Sequence, residues 1–277
     1  MQKKFKELNQ DGKLKETGTL IDGVKQGRFV AYEYFEEPED VVIKSEYLSI
    51  RIPKPHGAGV EKKIGFYVDG IANGDYQIFW NNSLVEEGTF IDGLAEGEFK
   101  MFYPVKQNII QKTFSLLAGK KYPAGIAIQG NYKNGLFHGE IRKNYSHYEQ
   151  GDVCISDYQE GVVHGISRHI SASANLKNII HWEKGRQNGI EKEYNEDGRL
   201  MSLTTWKDGV QHGPYRERKL SYFMFDYTGE IDLTLERGMY VNGEKKGKYI
   251  KYWGPFPLTP KKEGENIYPC WERGVHE

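Results

Sequence analysis

The chain has 277 residues, 38 basic against 39 acidic side chains, a formal net charge of −1 and a pI near 6.7. That balance speaks against a general electrostatic preference for nucleic acid or anionic lipid. Two cysteines, Cys154 and Cys270, carry no metal-type spacing and do not make a disulfide-stapled secreted framework.

In chain order, "MQKKFKEL" lacks the apolar core of a leader peptide, and no later run approaches the roughly 18 apolar residues of a spanning helix. A cytoplasmic location is the expectation. "FKELNQDGKLKETGTLIDG", residues 5 to 23, aligns without gaps on "EKEYNEDGRLMSLTTWKDG", residues 191 to 209, with nine identities in nineteen. The chain is therefore inside a repeat by Phe5.

That repeat carries two glycines four apart and recurs eight times: Gly23/Gly27, Gly70/Gly74, Gly93/Gly97, Gly135/Gly139, Gly161/Gly165, Gly185/Gly189, Gly209/Gly213 and Gly243/Gly247. "WERGVHE" reads as a partial ninth copy on Gly274. First glycines follow one another at 23, 24 or 26 residues, with wider gaps of 47, 42 and 34. Such periods mark a stacked architecture, so the expectation is a single repeat domain over 1–277. Insertions are placed at about 35–64, 104–128 and 216–237, and the proline-rich 253–269 is a candidate C-terminal cap.

Within a unit, segments such as "GDYQIFW" and "GKYIKYW" alternate with the period of two expected of strands. Asp11-Gly12, Asn81-Asn82-Ser83 and Asp197-Gly198 supply hairpin signals, and the Gly-x-x-x-Gly motif reads as a corner. An aromatic residue stands three places before the first glycine in seven of eight copies, with Leu20 in the other. Stacking of each on its equivalent in the next unit is predicted. The fold class that follows is all-β: an elongated, single-layer antiparallel sheet of stacked β-hairpin repeats with loop insertions, advancing roughly 9.5 Å per unit.

These residues resemble MORN repeats. The "YxNG" followed by "xxxG" spacing, with "YNEDGRL"-type hairpins between copies, is most similar to the MORN-variant repeats of bacterial antitoxin and immunity proteins. The resemblance covers about residues 5 to 274, and it lacks the "YEGEW" strand start of ordinary MORN repeats. It implies a non-catalytic binding protein that neutralises a toxin domain; the alternative is a MORN-type scaffold that organises partners or contacts lipid.

Histidines precede the second glycine at His138, His164 and His212. Rungs roughly 9.5 Å apart cannot share a zinc held at about 2.0 to 2.1 Å, so these read as polar turn residues. No dinucleotide fingerprint, phosphate loop or nucleophile elbow is present, and no catalytic residue, cofactor or metal is expected. An enzyme of another type would need a concave polar pocket with perturbed ionisable groups.

Charge is unevenly placed, with fifteen acidic residues against seven basic between Asp22 and Glu98. Glu36, Glu37, Glu39 and Asp40 lie in "FEEPEDVV", and Glu86, Glu87, Glu96 and Glu98 follow in nearby units. They read either as a solvated surface or as a partner-binding patch. The second reading suits a basic, nuclease-like protein toxin, with neither nucleic acid nor membrane contacted directly and the oligomeric state open.

Overall fold

The computed structural model of the chain describes residues 1–36, 42–45, 48–51, 59–103, 125–145, 151–221, 230–253, 255–257 and 270–276. Every regular element among them is a strand, and no described helix is long and apolar enough to cross a membrane. The residues group into two compact units, Met1–Val162 and Val163–Glu277.

The first unit holds β1 (Gln2–Leu8), β2 (Leu14–Ile21), β3 (Val24–Phe35), β4 (Val42–Ser45), β5 (Leu48–Arg51), β6 (Gly59–Val68), β7 (Ile71–Ala72), β8 (Gly74–Trp80), β9 (Ser83–Ile91), β10 (Leu94–Phe102), β11 (Ile126–Lys133), β12 (Leu136–Asn144) and β13 (Val153–Gln159). Apart from β4 and β5, which pair only with each other, these strands form antiparallel ladders between successive members. The second unit repeats the plan with β14 (Val162–Ile170), β15 (Leu176–Glu183), β16 (Arg186–Gln187), β17 (Gly189–Tyr194), β18 (Leu200–Lys207), β19 (Val210–Ser221), β20 (Glu230–Val241), β21 (Glu244–Trp253), β22 (Pro255–Pro257) and β23 (Cys270–His276). The all-β, antiparallel hairpin architecture expected from the sequence is present in both units.

The three anticipated hairpin turns form, and the first glycine of each pair makes a further one. Asp22 and Gly23 have φ of 49° and 86°, Asp208 and Gly209 51° and 84°, with Ile21 paired to Val24 and Lys207 to Val210 across them. Two successive left-handed residues make the I′ turn whose twist matches the strands it joins, which is why Asp or Asn so often precedes the glycine. The second glycine is a separate device. Near Gly27, Gly97, Gly139, Gly213 and Gly247 the ladder register shifts, marking a β-bulge in the longer strand.

Successive turns are tied by backbone. Gly70 N–H donates to Lys25 O (2.9 Å), Gly93 to Ala72 O (2.8 Å), Gly135 to Ala95 O (2.8 Å) and Gly161 to Phe137 O (2.9 Å). Gly185, Gly209 and Gly243 repeat the bond onto Val163, Gln187 and Gln211.

The aromatic rings do meet, two pairs stacked and two tilted, but on a different partner from the expected one. Tyr67 meets Phe29 at 4.3 Å between centroids, Phe90 meets Tyr76 at 4.3 Å, Tyr132 meets Phe99 at 4.2 Å and Tyr240 meets Tyr215 at 4.8 Å. In each pair the second ring stands two places after the preceding unit's second glycine. Equivalent rings in successive units are two strands apart, roughly 9.5 Å, beyond the 4.5 to 7 Å range of ring contact; the intervening strand supplies the partner.

Several sequence boundaries change. Of the expected insertions, 59–64 is strand, paired with β3, and 126–128 opens β11, paired with β10. The segment 216–237 is in large part a lengthened hairpin, with β19 and β20 paired out to Ser221 and Asp232. From 253–269, Pro255–Pro257 pairs with Glu230–Asp232 of β20, and 258–269 lies outside the described residues. Gly274 is not a corner glycine. It pairs with Tyr249 in β21, as Gly238 pairs with Tyr215 and Gly88 with Tyr76, so "ERGVH" corresponds to "ERGMY" at 236–240.

Candidate functional site

Strand alternation gives the first unit two unlike faces. One carries the stacked rings, with Phe29, Tyr76, Phe99 and Phe137 buried. The other is exposed and striped along the stacking direction. Its first row, beside the turns, is mostly aliphatic: Ile21 and Val24, Val68 and Ile71, Ile91 and Leu94, and Leu136, each between 43% and 52% exposed, with exposed Lys133 opposite Leu136 at the fourth turn. The row is continuous. A Cβ placed on Gly70 would lie 3.5 Å from Val24, on Gly93 3.5 Å from Ile71, on Gly135 3.9 Å from Leu94 and on Gly161 3.3 Å from Leu136.

The second row contains Arg28 and Phe66, a cross-strand pair, then Asp75 with Thr89, Glu98 with Asn131, and Glu140 with Asp157. Thr89 Oγ1 donates to Asp75 Oδ1 at 3.1 Å. A third row holds Ile64, Gln77, Glu87, Lys100 and Arg142 in register. Between Arg28, Phe66, Asp75, Glu87, Glu98 and Lys100 the face dips into an open depression of about 500 Å³.

The eight acidic candidates do not make one patch. Glu37, Glu39 and Asp40 lie outside the described residues, and Glu36 is exposed at the end of β3. Glu87 and Glu98 line the depression on the exposed face. Glu96 is occupied by structure, since its Oε2 accepts the Asn134 N–H at 2.7 Å in the next turn. Glu86 has to be removed from the surface reading. Adjacent strand residues point to opposite faces, and Glu86 falls on the ring side, where it accepts from Tyr76 Oη (2.6 Å) and Tyr132 Oη (3.4 Å). Burial raises its carboxyl above the ordinary value despite those two hydrogen bonds and nearby Lys63. The two phenols are pushed up as well, first by burial and then by Glu86.

A related polar core, overlooked in the sequence, sits in the second unit. Tyr215 Oη donates to Glu236 at 2.6 Å, Tyr240 Oη to Glu217 at 3.2 Å, and Lys245 Nζ bridges Glu236 (2.8 Å) and Glu217 (3.1 Å). Its signal was available: a Glu two places before a mid-strand glycine recurs at Glu16, Glu86, Glu236 and Glu272. Tyr249 Oη closes the same bond onto Glu272 at 2.6 Å.

Two of the three histidines before second glycines reach the next turn, while the buried Nδ1 of His138 has no hydrogen-bond partner among the described residues. His164 Nδ1 accepts the Lys184 N–H at 3.3 Å and His212 Nδ1 the Asn242 N–H at 3.4 Å. Cys154 is half-buried, with Sγ 3.4 Å from Ser156 Oγ, and burial pushes its thiol up. That is the reverse of an activated nucleophile. Cys270 lies opposite Trp253 in the β21–β23 ladder. Among the described residues no group of three His, Cys, Asp or Glu side chains could hold a metal ion. No protein-family model matches the chain, and no curated protein matches it in sequence.

Proposed function

We propose that this chain is a MORN-variant repeat protein that acts by binding: a bacterial, cytoplasmic immunity or antitoxin-type protein that covers and neutralises a toxin domain without catalysis. The observation that carries the reading is the exposed face of the first unit. It is broad and shallow, and it presents a half-exposed aliphatic row and Phe66 beside charged side chains. Apolar exposure of this extent on a folded surface is characteristic of a site for another macromolecule, and the depression is too open to enclose most of a small ligand's surface.

The distribution of titrating groups favours binding over chemistry. The carboxylates and phenols with shifted protonation, Glu86 with Tyr76 and Tyr132, and Tyr215 with Glu236, stand on the ring face and satisfy one another. On the exposed face, Asp75, Glu98 and Glu140 form an acidic line, which suits a basic partner.

The test is affinity capture of the tagged full chain from its own cells at moderate salt, followed by expression of whatever is retained. One near-stoichiometric partner that arrests growth when expressed alone, and is relieved by co-expression of this chain, is the expected result. Retention of several non-toxic proteins, or of none, overturns the immunity reading.

A further inference from the structure

We propose that the striped face of the first unit receives an amphipathic α-helix of the partner, its apolar side on the aliphatic row and a Lys- or Arg-rich flank on the carboxylates of Asp75, Glu98 and Glu140. This rests on the binding reading above and specifies what the partner brings to the site.

Spacing is the first argument. Each unit of the row advances by two strands, roughly 9.5 Å, while residues seven apart on an α-helix advance about 10.5 Å. A helix along the row therefore presents the same heptad positions to three consecutive turns, with a drift of only about 1 Å per turn. An extended strand, rising about 3.3 Å per residue, also matches the pitch at every third residue, but its side chains alternate faces with period two and would put every other anchor away from the row. The row itself is unbroken, since the aliphatic side chain of each turn reaches the glycine of the next.

Charge sets the orientation. Asp75, Glu98 and Glu140 are all exposed in the row next to the aliphatic one and each occupies the equivalent place one residue after a second glycine. They repeat with the same pitch as the apolar anchors, so basic residues at one heptad position would meet all three. The third row is mixed, with Lys100 and Arg142 exposed and Glu87 opposite Lys100, so it favours a basic flank less than the second row does.

The probe is a fluorescently labelled synthetic helix of about three heptads, roughly 31 Å long, with Leu at the two apolar heptad positions and Lys and Arg along one flank. Its twin carries Glu on that flank. Anisotropy titrations use the full chain and the triple variant Asp75→Lys/Glu98→Lys/Glu140→Lys, with Asp75→Asn/Glu98→Gln/Glu140→Gln as the charge-neutral companion should the reversal not fold. The basic helix is expected to bind the wild-type chain at least tenfold more tightly than the twin does, and to lose tenfold or more on the variants and at high salt. No saturable binding, or equal affinity of the two helices, overturns the proposal. The same variants in the capture experiment separate the two readings. A native partner held as well by the variants as by the wild type refutes the helix site and leaves binding standing. A wild-type chain that captures nothing yet binds the basic helix refutes the immunity reading and leaves the site standing.

Discussion

The ring of Tyr215 lies against Gly238 of the neighbouring strand, where a Cβ would come within 2.8 Å of its Cε1. The glycine is required here by space, and the same relation recurs between Phe29 and Gly65 (2.9 Å), Tyr76 and Gly88 (3.0 Å) and Tyr249 and Gly274 (2.5 Å). Tyr215 is 2% exposed and its hydroxyl is held by Glu236, so the ring cannot swing aside without losing that bond. Gly238→Ala should destabilise the chain by about 1–3 kcal/mol through overpacking, and Gly88→Ala similarly. Urea unfolding checks this: the midpoint should fall with the slope unchanged, and an unchanged midpoint would refute the packing account.

Glu86 and Glu236 both accept a buried tyrosine hydroxyl, yet they titrate in opposite directions. At Glu86 burial prevails and raises the carboxyl above its reference of 4.5. At Glu236 burial also pushes upward, but the hydrogen bonds from Lys245 and Tyr215 and the Lys245 charge outweigh it and lower the group below 4.5. A raised carboxyl keeps its proton in the folded chain after the unfolded chain has released it, so stability declines as pH rises from 4.5 through the folded value. A lowered one contributes stability above 4.5 that is lost as pH falls through the folded value. Relative to wild type, Glu86→Gln should therefore gain as the solution is taken from acid to neutral, and Glu236→Gln should lose. Melting temperatures between about pH 3 and pH 8 check both; parallel curves for the two variants would contradict the assignment.

The repeat was legible in the sequence because glycine spacing and aromatic alternation are local properties of strands and turns. Pairing partners were not. Sequence alone places Tyr67 in a repeat of rings but cannot say that Phe29, on the adjacent strand, comes between it and its equivalent. Glu86 and Glu87 look alike as neighbours in an acidic stretch, and only the pleat separates a half-buried acceptor on the ring side from a side chain on the exposed face. The aliphatic row escaped for a related reason. Its members flank the turns as short two-residue motifs such as Ile21 and Val24, which look like ordinary strand ends until the units are stacked.

His212 fastens one turn to the next through Nδ1, which accepts the N–H of Asn242, a residue held at φ 53°. The bond is partly solvated, so His212→Ala should lose about 0.5–1.5 kcal/mol. His212→Asn, whose Oδ1 stands near the place of Nδ1, should retain much of it. Thermal melts with and without added zinc distinguish this from a metal role: the clasp predicts the same melting temperature in both, whereas zinc-dependent stabilisation abolished by His212→Ala would show that the ring serves a ligand.

Ala174 occupies a position that equivalent loops give to glycine. In residues 9–13 and 195–199 an Asn accepts two backbone N–H groups through Oδ1 and a glycine follows at positive φ, 76° at Gly12 and 74° at Gly198. In residues 171–175 Ser171 takes the Asn role, its Oγ accepting the Asn175 N–H at 3.1 Å, and Ala174 holds φ 62°. The backbone closure is the same, with Ala174 N–H donating to Ser171 O at 2.9 Å as Gly12 donates to Asn9 O at 3.0 Å. A left-handed alanine costs about 1–2 kcal/mol; glycine removes that strain, and the greater freedom it gives the unfolded chain offsets only about 0.4–1 kcal/mol of the gain. Ala174→Gly should therefore stabilise the chain by about 0.5–1 kcal/mol, a gain opposite in sign to the usual effect of placing glycine in a strand connection. A lower urea midpoint for this variant would mean that the loop relaxes the alanine without strain, and that the equivalence of the three loops is one of hydrogen bonding alone.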